Sequence, residues 1–440
     1  MTTDEKSSIA SGLATASLRY PEGQTLKFWL ALLRGEMYFG GLLDHMRAHP
    51  QLSYLTIDTT GVCDLRCPGM CYYHPDIDVR QQHVPIDALA RSIADAKEHL
   101  NLQSLVFAGK EPLQNMPRLV QLAQFASDLP GEKLSIGLVT NGRAIGKHRV
   151  ELDALASEGD LSFMDISIDS GFAVQHDAIR GIHGTQALAM SALKECSQAW
   201  TSVRVGSTSV LRNDNANGIL ELLRSAASFN RHFFITPIQP PPYTTTAPLP
   251  WSAIRDFLNQ LTDLLQSELK DAGVEVMVSL LGIYLTEAQR EGFLAWEDLR
   301  EDSAGQCYVE TSLGSNTLQM HVQVLPETGW RIGRITYTGA YLPNTHFLQV
   351  SDPERFAVGY IQERSIVELY EEALSSKGIL VEILDSRETH ACKGRPCWDH
   401  CFGGLVGAEH SYVGGAPLLQ QPLLCLRTEK DFQLNHTNSH

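Results

Sequence analysis

From about residue 50 the chain alternates short apolar runs with longer segments in which apolar residues recur every three or four positions, the signatures of strand and helix. Leu55 and Ile57 alternate with polar neighbours in a first strand that runs into a cysteine-rich loop. Pro85 then opens a helix whose Ile86, Leu89, Ile93, Ala96 and Leu100 form one stripe. The pattern continues as strand Ser104–Phe107, helix Pro117–Ser127, strand Leu134–Val139, helix near Val150–Ser157 and strand Phe163–Asp169. Helix Leu188–Trp200, strand Val203–Val210, helix Asn217–Ser228 and strand Phe233–Ile238 follow. Six strands alternating with helices predict an α/β fold with a parallel sheet, because each parallel crossover needs a helix-length connection.

The flanks differ in texture. Residues 1–50 predict a short helical cap, with Leu26, Phe28, Trp29, Leu32 and Leu33 as its apolar face. At the other end Pro237-Ile238-Gln239-Pro240-Pro241-Pro242-Tyr243 closes the alternation and reads as the last rim loop, since consecutive prolines continue neither helix nor central strand. A long helix from about Trp251 to Ala272 and a strand near Val274–Leu280 come next, making residues 246–300 a mainly helical linker. Beyond it, strands around Leu318–Val324 and Trp330–Tyr337 flank Pro326-Glu327-Thr328-Gly329, good turn chemistry that predicts a strand pair. A domain boundary is expected near residues 290–305, with 301–440 as a separate C-terminal unit.

Length and charge narrow the function classes. At 440 residues the chain exceeds the size at which single cores stop growing, so a large α/β barrel with an appendage, or two domains, is expected. The 51 acidic against 35 basic residues, a formal net charge of −16, argue against nucleic acid as the main partner. No apolar signal core opens the chain and no run is long enough to span a bilayer, so no membrane partner and a cytoplasmic address are expected. In a reducing compartment nine cysteines are unsuited to a disulfide framework, and clustered ones read as metal ligands.

Two clusters stand out. The first, Cys63, Cys67 and Cys71, sits at steps of four in a Pro/Gly-containing loop after the first strand. Soft thiolates suit iron–sulfur or zinc centres, and a three-thiolate cubane leaves one iron open to a small molecule. A zinc half-site and buried free thiols are the alternatives. Later strand ends, where parallel α/β folds place their sites, carry Ala108-Gly109-Lys110-Glu111-Pro112-Leu113, Thr140-Asn141-Gly142 and the period-two pair Ser167 and Asp169. Gly109 allows close backbone approach, and Ser167 and Asp169 suit a hydroxylated ligand such as a ribose; ordinary turn and rim roles account for each one singly. Cys196 falls on a helical stripe with Ala189, Leu193 and Trp200 and reads as a packing thiol.

Taken in order, the three cysteines, Ala108-Gly109-Lys110-Glu111-Pro112, Thr140-Asn141-Gly142, and Asp165-Ile166-Ser167-Ile168-Asp169 followed by His176-Asp177-Ala178-Ile179-Arg180-Gly181 resemble the radical S-adenosylmethionine (SAM) enzymes over residues 50–245. The resemblance implies a partial (β/α)6 TIM-like barrel over residues 51–245. It further implies a 4Fe–4S cluster on Cys63, Cys67 and Cys71 whose open iron chelates SAM. Gly109, Glu111 and Pro112 match the segment that meets the methionine amino group, Asn141 lies on the next rim, and Ser167 and Asp169 match the ribose contacts. Two departures are specific to this chain. The family spacing C-x3-C-x2-C, with an aromatic before the last cysteine, is here C-x3-C-x3-C with Met70 in that place, and Ala108 and Lys110 stand where glycine or similar residues are usual.

Cys392, Cys397, Cys401 and Cys425, together with Cys307, resemble the SPASM or twitch extension of the same family. That likeness implies one auxiliary 4Fe–4S cluster with four ligands from these five; a structural zinc using His390 or His400 is the alternative. The implied activity is a radical SAM oxidoreductase that forms a 5′-deoxyadenosyl radical and oxidatively modifies or cross-links a ribosomally made precursor peptide. Dehydrogenation, decarboxylation or epimerisation of a small molecule is the second reading, and a non-catalytic metal-binding protein the third. Expected partners are the substrate and an external electron donor such as flavodoxin or ferredoxin.

Overall fold

The computed structural model describes residues 44, 46–71, 83–238, 249–281, 284–301, 307–323, 331–343, 357–375 and 378. Seven strands run parallel in chain order: β1 (Tyr54–Asp58), β2 (Ser104–Ala108), β3 (Ser135–Thr140), β4 (Phe163–Ser167), β5 (Arg204–Leu211), β6 (His232–Pro237) and β7 (Glu275–Leu281). Helices α1 (Ile86–His99), α2 (Met116–Ser127), α3 (Arg149–Glu158), α4 (Ala173–Arg180), α5 (Thr185–Ala199), α6 (Ala216–Ala226) and α7 (Trp251–Gln266) lie in the connections. The architecture is a parallel α/β sheet of the partial TIM-barrel kind. The six expected strands are present, and β7 extends the parallel run by one.

The pattern that predicted these elements is the pattern that packs them. Leu55 and Ile57 on β1 are fully buried in the same core as Leu89, Ile93 and Ala96 of α1. Thr56 and Asp58 point to the opposite side of the sheet, because successive strand residues alternate in direction. In α6 and α7, Ile219, Leu222, Leu223, Ile254, Leu258, Leu261 and Leu265 form equally dry stripes. Cys196 on α5 is fully buried too, and burial pushes its thiol up to about 12, as befits a packing residue. Within the parallel run one helix was not read from the sequence: α4 is only eight residues long, too short for a periodic stripe to show.

The C-terminal strands depart from expectation. β10 (Asn316–Gln323) and β11 (Ile332–Ile335) do not form the predicted hairpin. Instead β10 pairs parallel with β7 and antiparallel with β9 (Cys307–Leu313), while β11 pairs parallel with β1 and antiparallel with β12 (Ala340–Leu342). Short β8 (Arg300–Glu301) and β13 (Gly359–Tyr360) flank them, giving one 13-stranded sheet, and α8 (Leu285–Arg290) and α9 (Ile366–Ala373) complete the described elements. Both exposed edges of the parallel run offered unpaired backbone groups, and pairing each edge satisfies more of these than pairing the two segments with each other. The Pro240–Tyr243 rim loop, most of the N-terminal cap, and Cys392, Cys397, Cys401 and Cys425 lie outside the described residues. Among the described residues no helix is long and apolar enough to cross a membrane.

Candidate active site

Because β1 to β4 are parallel, their carboxyl ends share one rim, and the cysteine loop leaves β1 there. The loop is held by the ends of the next strands through buried polar contacts. From the β2 end, the Glu111 backbone N–H donates to the Val62 carbonyl at 3.1 Å. Its fully buried carboxylate accepts from Thr140 Oγ1 at 2.7 Å, the Asn141 backbone N–H at 2.8 Å and the Leu113 N–H at 3.1 Å. Burial pushes this carboxyl up to about 7, against the downward pull of those three donors. From the β3 end, Asn141 Nδ2 donates to Asp64 Oδ1 at 2.7 Å, and Arg143 Nη1 donates to Asp64 Oδ2 at 2.8 Å and to the Asp64 carbonyl at 3.0 Å. Asp64 lies between the first two thiols, so these contacts fix the loop directly.

The fourth strand contributes through α4. Arg180, the last residue of α4, pairs with the fully buried Asp169 at 2.6 Å and bonds the Cys67 thiol. Its carbonyl also accepts from the Arg66 N–H at 3.4 Å. The other Asp169 oxygen accepts from the Val210 N–H at 2.9 Å, and its own N–H donates to His176 Nδ1 at 3.1 Å. The third thiol, Cys71, lies 3.8 Å from Lys110 Nζ. Burial raises the Cys63 thiol to about 12 and raises Cys67 as well, with the Leu65 N–H pulling the first down and the Arg180 charge the second.

Gly109 and Asp58 close the floor. The glycine has φ +105, and a Cβ there would lie 2.7 Å from Asp58 Oδ1. Asp58 cannot easily retreat, because both its oxygens are held by the Arg334 guanidinium, one of them at 3.1 Å and the other closer still.

The structure thus brings Cys63, Cys67, Cys71, Gly109, Glu111, Pro112, Asn141 and Asp169 to one rim. Pro112 is buried and opens a short 3₁₀ turn, and Ser167 sits half-buried at the end of β4. Cys307 is buried at the start of β9. The pattern did not single out Asp58, Asp64, Arg143 and Arg334, and it included Arg180 only within the His176–Gly181 segment, without a role. Asp64 and Arg143 carried a local signal, as charged neighbours of Cys63 and Asn141; Asp58 and Arg334 pair across 276 residues and carried none.

Residues 57–226 match the family model of the Radical SAM superfamily, from β1 to the end of α6. The chain carries a radical SAM domain. No curated protein matches it by sequence. Among solved structures it is similar to SuiB from Streptococcus suis bound to S-adenosylmethionine, with a TM-score of 0.63 and 15% identity over 91% of this chain and 87% of that one. It is likewise similar to native anSMEcpe with bound AdoMet and Cp18Cys peptide, with a TM-score of 0.56 and 18% identity over 88% and 97% of the two chains. At these identities the likeness is one of fold.

The rim fits the cofactors of such a domain. Three half-buried thiols stand on one loop whose footing is rigid, and two cations reach two of the sulfurs. Gly109 leaves backbone open for close approach of a ligand.

Proposed function

We propose that this protein is a radical SAM oxidoreductase that abstracts hydrogen from a carbon of a peptide substrate and oxidatively modifies or cross-links it. The observation that carries the reading is the cysteine loop itself, tied by Glu111, by Asn141 and Arg143 through Asp64, and by Arg180 to the ends of β2, β3 and β4. Cys63, Cys67 and Cys71 would hold the cluster, which would supply the electron for reductive cleavage of SAM. The chain's own share is positioning. The loop contacts hold the three sulfurs in place, Gly109 lets backbone meet the methionine end, and Ser167 offers a hydroxyl toward the ribose. Asp169 acts one step back, through Arg180, because its oxygens are already engaged.

A peptide substrate is supported by the shared fold with anSMEcpe, solved with a peptide, across nearly all of that chain. An auxiliary 4Fe–4S cluster on four of Cys307, Cys392, Cys397, Cys401 and Cys425 would accept the second electron of an oxidation, and residues 301–440 would form its domain. A flavodoxin or ferredoxin would supply the first. The test is anaerobic incubation of reconstituted protein with SAM and a reductant. Formation of 5′-deoxyadenosine is expected, and none from fully loaded protein would overturn the reading. A mass loss of two hydrogens in a precursor peptide encoded beside this gene is the expected substrate outcome. Turnover of a small molecule with the peptide untouched would overturn that half.

A further inference from the structure

The cysteine loop has an uneven electrostatic surround. Cys63 has carboxylate residues for neighbours: Asp64 follows it in the chain, and the Glu111 N–H is bonded to the Val62 carbonyl just before it. Cys67 and Cys71 instead face cations that come from outside the loop. Arg180 arrives from the end of α4, anchored by Asp169, and Lys110 arrives from the end of β2 with Nζ 3.8 Å from Cys71 Sγ. Lys110 is half-buried, so its charge is less screened by water than that of a surface lysine.

Lys110 and Cys71 also belong to the departures from the family's usual pattern, beside Met70 and Ala108. Lys110 stands where glycine or a similar residue is usual, and Cys71 is displaced by one extra residue. The structure brings these two departures into contact. From this pairing we infer that Lys110 is a positioning residue for the displaced third ligand, holding Cys71 on the cluster and stabilising the cluster's reduced state. The inference rests on the cluster reading of the three cysteines.

The charge argument is direct. Reduction adds one electron, and so one negative charge, to a cluster already bound by three thiolates. A fixed ammonium beside one thiolate lowers the cost of that added charge, and hydrogen bonds and net charge at the sulfurs are established determinants of cluster potential. A purely packing role for the lysine stem would leave the potential unchanged.

The experiment compares the whole reconstituted protein with Lys110→Met and Lys110→Arg. Midpoint potentials are read by EPR-monitored redox titration of the cluster whose signal changes on adding SAM, with iron content measured in parallel. Lys110→Met is expected to make reduction about tenfold less favourable, a midpoint about 59 mV more negative for one electron. Lys110→Arg, which keeps the charge, is expected to restore most of the shift. Equal midpoints in wild type and Lys110→Met, with iron fully retained, would overturn the inference while leaving the cluster reading intact. If Lys110→Met loses iron, recovery by Lys110→Arg supports the role, and failure of Lys110→Arg to recover it refutes it. Wild-type protein that binds no SAM-responsive cluster would overturn both readings together.

Discussion

Replacing Gly109 by alanine tests the fit between the ends of β1 and β2 on which the site stands. Two costs add. At φ +105 any side chain is strained, worth about 1–3 kcal/mol at such sparsely populated angles. The new methyl would also lie 2.7 Å from Asp58 Oδ1 and 2.9 Å from its Cβ and Cγ, inside the range that real contacts avoid. Asp58 is pinned by two hydrogen bonds from Arg334, so relieving the clash moves an ion pair or the strand ends, about 1–3 kcal/mol more. The expected loss for Gly109→Ala is therefore about 2–6 kcal/mol.

A second glycine separates the two costs. Gly131 has a similar φ of +93 but nothing within 4 Å of its would-be Cβ, so Gly131→Ala carries the strain without the clash. Urea denaturation of both variants, with unchanged slopes, reads the difference as the contribution of the Asp58 contact. Gly109→Ala is expected to lose stability beyond Gly131→Ala and also to bind SAM more weakly after reconstitution. A Gly109→Ala no less stable than Gly131→Ala would show that Asp58 yields freely, and the rigid footing would be refuted.

Further outcomes follow from the same rim. His176 is fully buried and accepts from the Asp169 N–H, and burial first, then the Arg180 charge, lower it to about 4. The unfolded chain takes up this proton below about pH 6.5 and the folded one only near pH 4. The stability it contributes is whole above 6.5 and falls by about 3 kcal/mol as pH drops across that window. Urea titrations of wild type against His176→Gln, which keeps an acceptor without a titrating ring, should show this slope in the former only. Arg334→Met strips the buried Asp58 of its counter-charge and is expected to cost about 3–5 kcal/mol at pH 8, much of it recovered by adding Asp58→Asn, as a double-mutant cycle in urea would show. Iron analysis of reconstituted protein should give about eight irons per chain if the C-terminal cysteines hold a second cubane, and about four would reject it.

What the sequence disclosed was local. The parallel strands and their helices were legible because each element carries its own apolar period and its neighbours lie next in the chain. The cysteine loop, Gly109, Glu111 and Asn141 were legible because they cluster in short motifs at strand ends. The roles within that set were less so. Glu111 was legible as part of a segment that meets the methionine end of SAM, but the role of its carboxylate was not: it accepts from Leu113, Thr140 and Asn141, which makes it a brace between two strand ends. Asp169 shares a strand face with Ser167 by period, but the strand ends at Ser167, and the carboxylate turns to Arg180 and Val210. Strand alternation says nothing of a residue once the strand has stopped. The predicted hairpin failed for a related reason: turn chemistry at Pro326–Gly329 marks where a chain can reverse, while pairing depends on which edges are open, and β7 and β1 each offered one.

Those edge pairings bear on where the site ends. The family match stops at residue 226, yet the buried Asp58 carboxylate beneath Gly109 is held at both oxygens by Arg334, more than a hundred residues beyond it. Its counter-charge comes from β11, where Thr56 pairs with Arg334 and Ile57 with Ile335, so the guanidinium is delivered by strand register and not by a flexible tail. β11 thereby does two things at once: it covers the β1 edge and neutralises the carboxylate at the foot of the cysteine loop. A chain cut near residue 300 would lose both, opening the β1 edge and removing the guanidinium from a buried carboxylate under the loop, each of which disfavours the folded rim. The rim is in that sense built by residues within the family segment and beyond its C-terminal end, and its stability is a property of the wider sheet.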